Sequence, residues 1–347
     1  MGVSFKKTIA LFLAAAGISI HVNAQPLKPV TKISPPLFGF YAKSLDCGGI
    51  AIRSSAIVDD RALQVAAQKI NRMLANIPEA RHNLSQWGAE LHIIGKNQQT
   101  SDLPEFRGMK GISYVDNGQT TDIDARTRGL GGIYTSCGEE NLLNLPGDRY
   151  AGGSDICMHE FAHNIMYFGL DDNLRGKIEK QYQSAVKKGL WPGAYAISNV
   201  GEYWAELSMW YFGAHGEYLR GTKLPATGAA GLKAYDPEGY AILDAIYTGK
   251  LKASKIDVAI MKPVSANANP VVPRFRSTLM FTNNTAKKLK LFWVDNLGKA
   301  NPYGAITAYN KYVQKTFSGD LWRVEDEAGK VVGYYIATTP NAMVTIN

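Results

Sequence analysis

Five consecutive residues, His159-Glu160-Phe161-Ala162-His163, carry the clearest chemical pattern of this sequence. Two histidines four positions apart lie on one face of an α-helix, because a turn takes 3.6 residues, so both imidazoles can reach one metal ion. The glutamate after the first histidine is placed to act on a water molecule at that metal. The pattern predicts a zinc-dependent hydrolase, most often a peptidase, with His159 and His163 as ligands and Glu160 as base.

Apolar residues surround this motif and predict a buried helix from Asp155 to Phe168, with Ser154 or Asp155 as its N-cap and Gly169 as its stop. Two imidazoles and a carboxylate are costly to bury unless something compensates them, and a cation would do so. Histidines satisfied by neighbouring carbonyl groups are the alternative that the motif alone leaves open.

A catalytic zinc ion normally has three protein ligands, so a third must be sought after His163. One zincin class uses a histidine six residues further on, and Gly169 at that position excludes this class. Asp171 is a weak candidate because it lies just past the predicted helix end. His215 lies in a glycine-rich turn, which is more typical of a surface residue.

Glu202 and Glu206 are the stronger candidates, since they lie four residues apart on one face of an apolar, aromatic helix predicted over 199–212. Two carboxylates there repel each other and are poorly solvated unless a cation and a histidine N–H receive them. Glu202 as the third zinc ligand and Glu206 as the partner of a ligand histidine meet both needs. Pairing with lysines or backbone amides is the alternative.

The elements that must position these residues predict an α+β fold. Helices are predicted over 59–77, 173–190 and 237–247. Strands are predicted at 89–94 and 111–115. An irregular lead-in is predicted over 25–36. The glycine-rich segment 128–132 lacks phosphate-loop and dinucleotide patterns and predicts a turn. After a linker at 261–274, short β-type segments predict a small antiparallel sandwich over 275–347. They are 277–282, 289–294, 305–309, 313–317, 321–325, 331–337 and 343–346.

The first 24 residues have a basic start, an apolar middle and a small-residue end, which predicts a signal peptide cleaved after Ala24 and a secreted or periplasmic protein. An uncleaved anchor is the alternative. No later stretch is long enough to predict a membrane span.

Among the three cysteines, a Cys137–Cys157 disulfide is favoured and three free thiols including Cys47 are the alternative. The formal charge is +8 without a long basic run, so nothing predicts nucleic-acid binding.

HEFAH followed by a Tyr-x6-Glu-x3-Glu pattern resembles the catalytic domain of the anthrax lethal factor-like metallopeptidases. The resemblance extends over roughly residues 37–250, so the domain predicted over 25–260 is expected to be gluzincin-like, with two histidines and a downstream glutamate that bind zinc. The resemblance also implies that a tyrosine seven residues before that glutamate stabilises the transition state, and here that residue is Tyr195.

Residues 281–337 resemble the β domain of the von Hippel–Lindau tumour suppressor. The resemblance is carried by Phe281-Thr-Asn-Asn-Thr285, Trp293-Val-Asp295, Gly298, Pro302-Tyr303 and Thr316-Phe-Ser-Gly-Asp-Leu-Trp322. It implies a pocket for a hydroxyproline peptide formed by Trp293, Tyr303, Thr316 and Trp322. Asp320 replaces a histidine of the family's pocket, which leaves recognition of proline or hydroxyproline as a hypothesis. Core packing of both tryptophans is the alternative.

Together these features predict an exported two-domain zinc endopeptidase whose partner is a protein or peptide substrate. The competing hypothesis is an inactive exported binding protein that acts through its C-terminal domain. Retention of Glu160 argues against it, since a purely structural metal needs no general base.

Overall fold

A computed structural model describes residues 28–116, 118–215, 226–268 and 273–347. The predicted signal peptide lies outside these residues, so it stays a prediction. The chain combines helices and sheets, which confirms the α+β class. Within the described residues, no helix is both long and apolar enough to cross a bilayer.

Within the described part of the chain, helices and strands are mixed up to about residue 261, and strands alone follow. The strands are β1 Thr31–Leu37, β2 Tyr41–Asp46, β3 Ala51–Ser54, β4 Glu90–Ile94, β5 Tyr114–Asp116, β6 Gln119–Thr121, β7 Gly129–Leu130, β8 Tyr134–Gly138, β9 Ala259–Met261, β10 Arg276–Asn283, β11 Leu289–Val294, β12 Ala300–Ile306, β13 Lys311–Phe317, β14 Leu321–Glu325, β15 Val331–Ile336 and β16 Asn341–Ile346. The α-helices are α1 Asp60–Met73, α2 Pro78–Gln86, α3 Ile123–Arg126, α4 Glu139–Leu143, α5 Ile156–Asn164, α6 Asp172–Lys187, α7 Val200–Tyr211, α8 Gly228–Tyr235 and α9 Pro237–Tyr247.

A six-stranded sheet with the order β1-β2-β3-β4-β8-β7 organises the first part of the chain. Its centre, β3-β4-β8, is parallel, and the strands at both edges run antiparallel. Parallel strands need both faces covered, and the buried apolar side chains of α1, α5 and α7 join those of β3, β4 and β8 in one large core. The short edge strand β7 lies beside α5, which places the sheet edge next to the histidine motif.

The motif helix differs from its prediction at the C-terminal end. The α-helix ends at Asn164 and continues as one π-helical turn, Ile165–Gly169, closed by the bond from the Leu170 amide to the Ile165 carbonyl at 2.9 Å. Gly169 packs against α2, where a Cβ atom would lie 3.2 Å from the Ala80 methyl group. The wider turn therefore ends at the predicted stop residue, where the helix meets α2.

Two four-stranded sheets, β13-β10-β16-β9 and β12-β11-β14-β15, form the last part of the chain around a second core. β9 pairs with β16, so residues just before the predicted linker belong to a C-terminal sheet. The strand predicted at 305–309 is wrong: β12 covers Ala300–Ile306, and a turn follows it. The division of the chain into two domains stays a prediction.

The two parts of the chain are joined by packing as well as by covalent connection. Met280 of β10 is fully buried and belongs to the large first core. The ammonium group of Lys311 donates to the carbonyl oxygens of Trp87 and Gly88 at 3.2 and 2.6 Å and lies 5.0 Å from the Tyr134 ring centre. Burial lowers the pKa of Lys311 to about 8. A buried cation thus links β13 to the loop that precedes β4.

The three cysteines are free and buried, so the favoured disulfide is wrong. The Cys47 thiol donates to the Ala67 carbonyl at 3.6 Å, and Cys137 and Cys157 lie within hydrogen-bonding reach of each other. Burial raises the pKa of the Cys137 thiol well above its usual value. Packing and hydrogen bonds, rather than a covalent link, therefore hold β8 against α5.

A buried cluster of titratable groups lies beneath β4. His92 Nδ1 lies 2.5 Å from one Glu105 carboxylate oxygen, and the Tyr41 hydroxyl donates to the other at 2.7 Å. Burial alone would lower the pKa of His92, but Glu105 outweighs burial and raises it to about 9. The protonated histidine and its carboxylate are therefore a stabilising pair at neutral pH.

We expect this pair to make stability decline at alkaline pH. The folded-state pKa of His92 lies above its ordinary value of 6.5, so the contribution is complete below pH 6.5 and is lost as the pH rises through about 9. It amounts to on the order of 3 kcal/mol. Urea unfolding of wild type and Glu105→Gln at several pH values measures it, with Glu79→Gln as control. Equal declines from pH 7 to 9 in wild type and Glu105→Gln would contradict the expectation.

Candidate metal centre

The histidine motif is held by the start of α5. Asp155 is the N-cap, and its carboxylate accepts from the Met158 amide at 3.1 Å and pairs with Lys69. The Ile156 amide donates to the Asn141 side chain at 3.0 Å. These contacts fix the helix axis and direct the side chains of His159 and His163 toward the same cleft.

The second helix of the site, α7, crosses α5 and is fixed to it by a buried hydrogen bond. The Trp204 indole N–H donates to the Ala162 carbonyl at 2.8 Å. The N-cap Asn199 accepts from the Glu202 amide at 3.0 Å. Helix α7 therefore presents Glu202 and Glu206 to the histidines from its first two turns.

Three side-chain atoms from these helices converge on one point. His159 Nε2 lies 3.0 Å from Glu202 Oε2 and 3.2 Å from His163 Nε2, and His163 Nε2 lies 3.4 Å from Glu202 Oε2. Ligand atoms about 2.0–2.1 Å from a tetrahedral zinc ion are roughly 3.3 Å apart. The three separations fit that triangle, so the donor set and its spacing fit zinc.

Electrostatics favour a positive charge at this point. Burial disfavours the charged form of His159, but the carboxylates of Glu202 and Glu206 outweigh it and raise the pKa of the histidine well above its usual value. Burial likewise opposes ionisation of Glu202, yet its hydrogen bonds with His159 and His163 lower its pKa. The cluster therefore stabilises a cation, whether a proton or a metal ion.

Glu206 lies behind the first histidine. Its Oε1 is 3.1 Å from His159 Nδ1, and both side chains are buried. A carboxylate at Nδ1 holds the proton of the neutral imidazole on that nitrogen, which leaves Nε2 free to bind a metal. Support of a ligand histidine by Glu206 stays a prediction.

Glu160 follows His159 on the side of α5 that faces the sheet edge. His159, Glu160 and His163 form a candidate metal-binding group, with one ligand atom of each within 4.8 Å of the others. Burial raises the pKa of Glu160, and the two histidines oppose this change. A carboxylate with a raised pKa accepts a proton more readily, which suits a general base.

Tyr195 lies beside His159, with the two rings stacked at 6.3 Å between centres. Burial, followed by the charge of Glu202, raises the pKa of Tyr195 to about 12, so its hydroxyl remains a donor at neutral pH. Arg126 lies within hydrogen-bonding reach of this hydroxyl and pairs with Asp116. No motif surrounds Arg126, so the sequence alone did not indicate its place at the site.

The glycine-rich segment lies at the cleft and is more than a turn. A Cβ atom at Gly131 would lie 2.8 Å from the His163 Cβ, and one at Gly129 would lie 2.5 Å from Ile156. Both glycines therefore allow the β7 edge to approach the motif helix closely. The resulting cleft has a volume of about 590 Å³ and is bounded by Tyr114, Arg126 and Tyr167 as well as the motif residues.

The weaker ligand candidates lie elsewhere. Asp171 caps α6 by accepting from the Leu174 amide at 3.0 Å and also accepts from the Ser254 amide at 2.7 Å. The His215 ring lies 5.9 Å from the Trp210 ring. Neither lines the cleft that contains the motif.

The residues of the predicted hydroxyproline pocket form a connected network. The indole N–H of Trp322, which is 1% exposed, donates to Thr316 at 3.1 Å, and Thr316 donates to Asp320 at 2.6 Å. Trp293 packs against the second core, while Tyr303 is 56% exposed and packs edge-on against Trp322. Trp322 is thus a core residue, which differs from the open pocket that the resemblance implies.

Comparisons with known proteins provide no assignment. No protein-family model and no curated protein match the sequence. One similar solved structure is the PRO-PRO endopeptidase PPEP-2 from Paenibacillus alvei, with 14% identity and a TM-score of 0.41 over 57% of this chain and 96% of that chain. A similarity at this level carries no argument about fold or activity. The two family resemblances stay predictions, and the class is that of an α+β protein with a candidate HExxH metal centre.

Proposed function

We propose that this chain is an exported, gluzincin-like zinc peptidase. The convergence of His159, His163 and Glu202 within 3.4 Å of one another is the observation that supports the proposal most directly. When bound by these three residues, zinc would supply a Lewis acid that acidifies water and polarises a peptide carbonyl. Export rests on the N-terminal sequence alone.

Four residues of the cleft have separate roles in the proposed reaction. Glu160 takes the proton of the attacking water and then donates it to the departing amine nitrogen. The Tyr195 hydroxyl donates a hydrogen bond to the carbonyl oxygen as negative charge develops there. Arg126 orients that hydroxyl, and Glu206 keeps His159 in the tautomer that exposes Nε2.

Chelator-sensitive cleavage tests this proposal directly. The full chain is incubated with a mixed peptide library, and the products are identified by mass spectrometry. We expect cleavage that stops with 1,10-phenanthroline and returns with added zinc. A chain that binds no zinc and cleaves no peptide would overturn the proposal and favour the alternative of an inactive binding protein.

Replacing Tyr195 by phenylalanine is expected to lower kcat by about a hundredfold, because one donor to the oxyanion is lost. KM and zinc content should change little, since the ring and the metal ligands remain. Tyr240→Phe is the matched control, because it removes the same hydroxyl on α9, where that group donates to Asp244 at 3.2 Å and does not line the cleft. Equal kcat values for the two variants would remove Tyr195 from its assigned role.

Recognition of proline or hydroxyproline by the C-terminal sheets is a separate part of the proposal. Of the predicted pocket residues, Tyr303 offers the most exposed side chain for such a contact. Calorimetric titration of the full chain with proline and hydroxyproline peptides tests it, with Tyr303→Ala as the comparison. Heats that are the same for both proteins would remove this part and leave the peptidase proposal intact.

A further inference from the structure

A second groove, of about 740 Å³, lies between the sheet strands β10 and β13 on one side and α2, the turn after α5 and the start of α6 on the other. One wall comes from the turn after the motif helix, including Tyr167 and Phe168, and the other from the sheet strands. Tyr167 lines both this groove and the catalytic cleft. The groove and the cleft therefore share this aromatic ring at their boundary.

Alternate residues of β10 and β13 form the sheet wall of the groove, and the base of this wall differs from its rim in polarity and charge. In the antiparallel register, Arg276 faces Phe317, Thr278 faces Lys315 and Met280 faces Val313, and all six line the groove. Met280 is buried at the base, whereas Arg276, Lys315 and Phe317 are exposed at the rim. The intervening apolar residues of β10 point to the second core. The wall thus has an apolar base and a basic, aromatic rim.

The two rim cations are available to a ligand. Among the described residues, neither Arg276 nor Lys315 has an acidic group within ion-pair distance. The acids on the opposite wall are already engaged, since Asp171 caps α6 and Asp172 pairs with Arg175. Exposed aromatic side chains, Tyr167 at 48% and Phe317 at 43%, flank the cations on the two walls. The groove therefore complements a peptide with acidic and apolar residues.

We propose that this groove binds an acidic flank of the peptide substrate outside the scissile bond, an inference that rests on the proposed peptidase function. Arg276 and Lys315 pair with Asp or Glu side chains of the flank, while Tyr167 and Phe317 contact its apolar side chains. The groove selects substrates by this flank and leaves the chemistry at the metal centre unchanged.

The test compares seven forms of one cleavable peptide found in the library experiment. They are the short peptide and the same peptide extended at the N-terminal or the C-terminal end by acidic, neutral or basic residues of equal length. We expect the acidic extension to raise kcat/KM about tenfold through KM at low salt, as two partly screened ion pairs would. Arg276→Glu/Lys315→Glu should abolish this gain, leave the short peptide unaffected and favour the basic extension. Lys288→Glu, an exposed charge outside the groove, is the control.

The results distinguish failure of this inference from failure of the proposed peptidase function. Equal kcat/KM for acidic and neutral extensions, or an unchanged preference in the double variant, would overturn the groove and leave the peptidase standing. If no peptide is cleaved, anisotropy of a labelled acidic peptide with wild type and the double variant still tests the groove. Binding lost in the double variant supports it, and equal binding overturns it.

Discussion

The Glu160→Gln protein is expected to bind zinc normally and to lose at least about a thousandfold in kcat. Glutamine has nearly the same shape as glutamate but cannot accept the proton of the attacking water, so both proton transfers lose their carrier. A large effect is expected because Glu160 lies next to the proposed ligands His159 and His163 and is assigned the role of base. Single-turnover kinetics with a library-derived peptide and metal analysis of the same sample measure the two quantities.

Two comparisons sharpen this expectation. Glu179→Gln makes the same chemical change on α6, where the carboxylate accepts from Gln183 at 2.9 Å, and should keep full activity. A Glu160→Gln protein that lacks zinc would show that Glu160 is needed for binding the metal. Turnover equal to wild type with zinc present would remove Glu160 as the base.

Zinc is expected to raise the melting temperature of the chain strongly, and Glu202→Ala should remove most of this effect. A ligand that binds only the folded state stabilises it by about 4 kcal/mol at roughly a thousand times its dissociation constant. In Glu202→Ala two histidines remain, and the carboxylate that lies 3.0 and 3.4 Å from their Nε2 atoms is lost. Calorimetry with chelator and with zinc measures the shift for each protein.

Glu206→Ala is the matched control, because Glu206 is on the same helix and contacts His159 at its other nitrogen. Loss of such a supporting carboxylate typically weakens metal binding by about 10- to 100-fold, so a shift should persist at higher zinc concentration. Identical melting temperatures of wild type with chelator and with zinc would contradict the metal site itself, independently of any peptidase assay.

The helices α5 and α7 of the candidate metal centre were predictable because their signals are local. The spacing of His159 and His163, the cap at Asp155 and the paired glutamates on α7 depend on residues within one or two turns. Arg126 and Tyr167 could not be found in this way, since their place at the cleft comes from contacts between distant segments. The role of Gly131 is equally non-local, because it depends on the approach of His163.

Two of the errors among the strands have a common physical cause. The segment that forms β1 contains Pro35 and Pro36, which favour an irregular lead-in, and β12 contains Pro302 and Gly304, which favour a turn. Both strands lie at the edge of a sheet, where a missing amide donor costs little. Edge position is a property of the assembled sheet, so local sequence could not distinguish these strands from loops.

Lys311 constrains how this protein can change over evolution. Its ammonium group donates hydrogen bonds to two carbonyl groups of the loop before β4. Met280, which lies on the neighbouring strand β10, is buried in the larger first core. Recombination that replaced the residues after 275 by an unrelated sheet would leave these carbonyls uncapped and a void in the core. A protein recombined in this way is therefore expected to be less stable than the present chain.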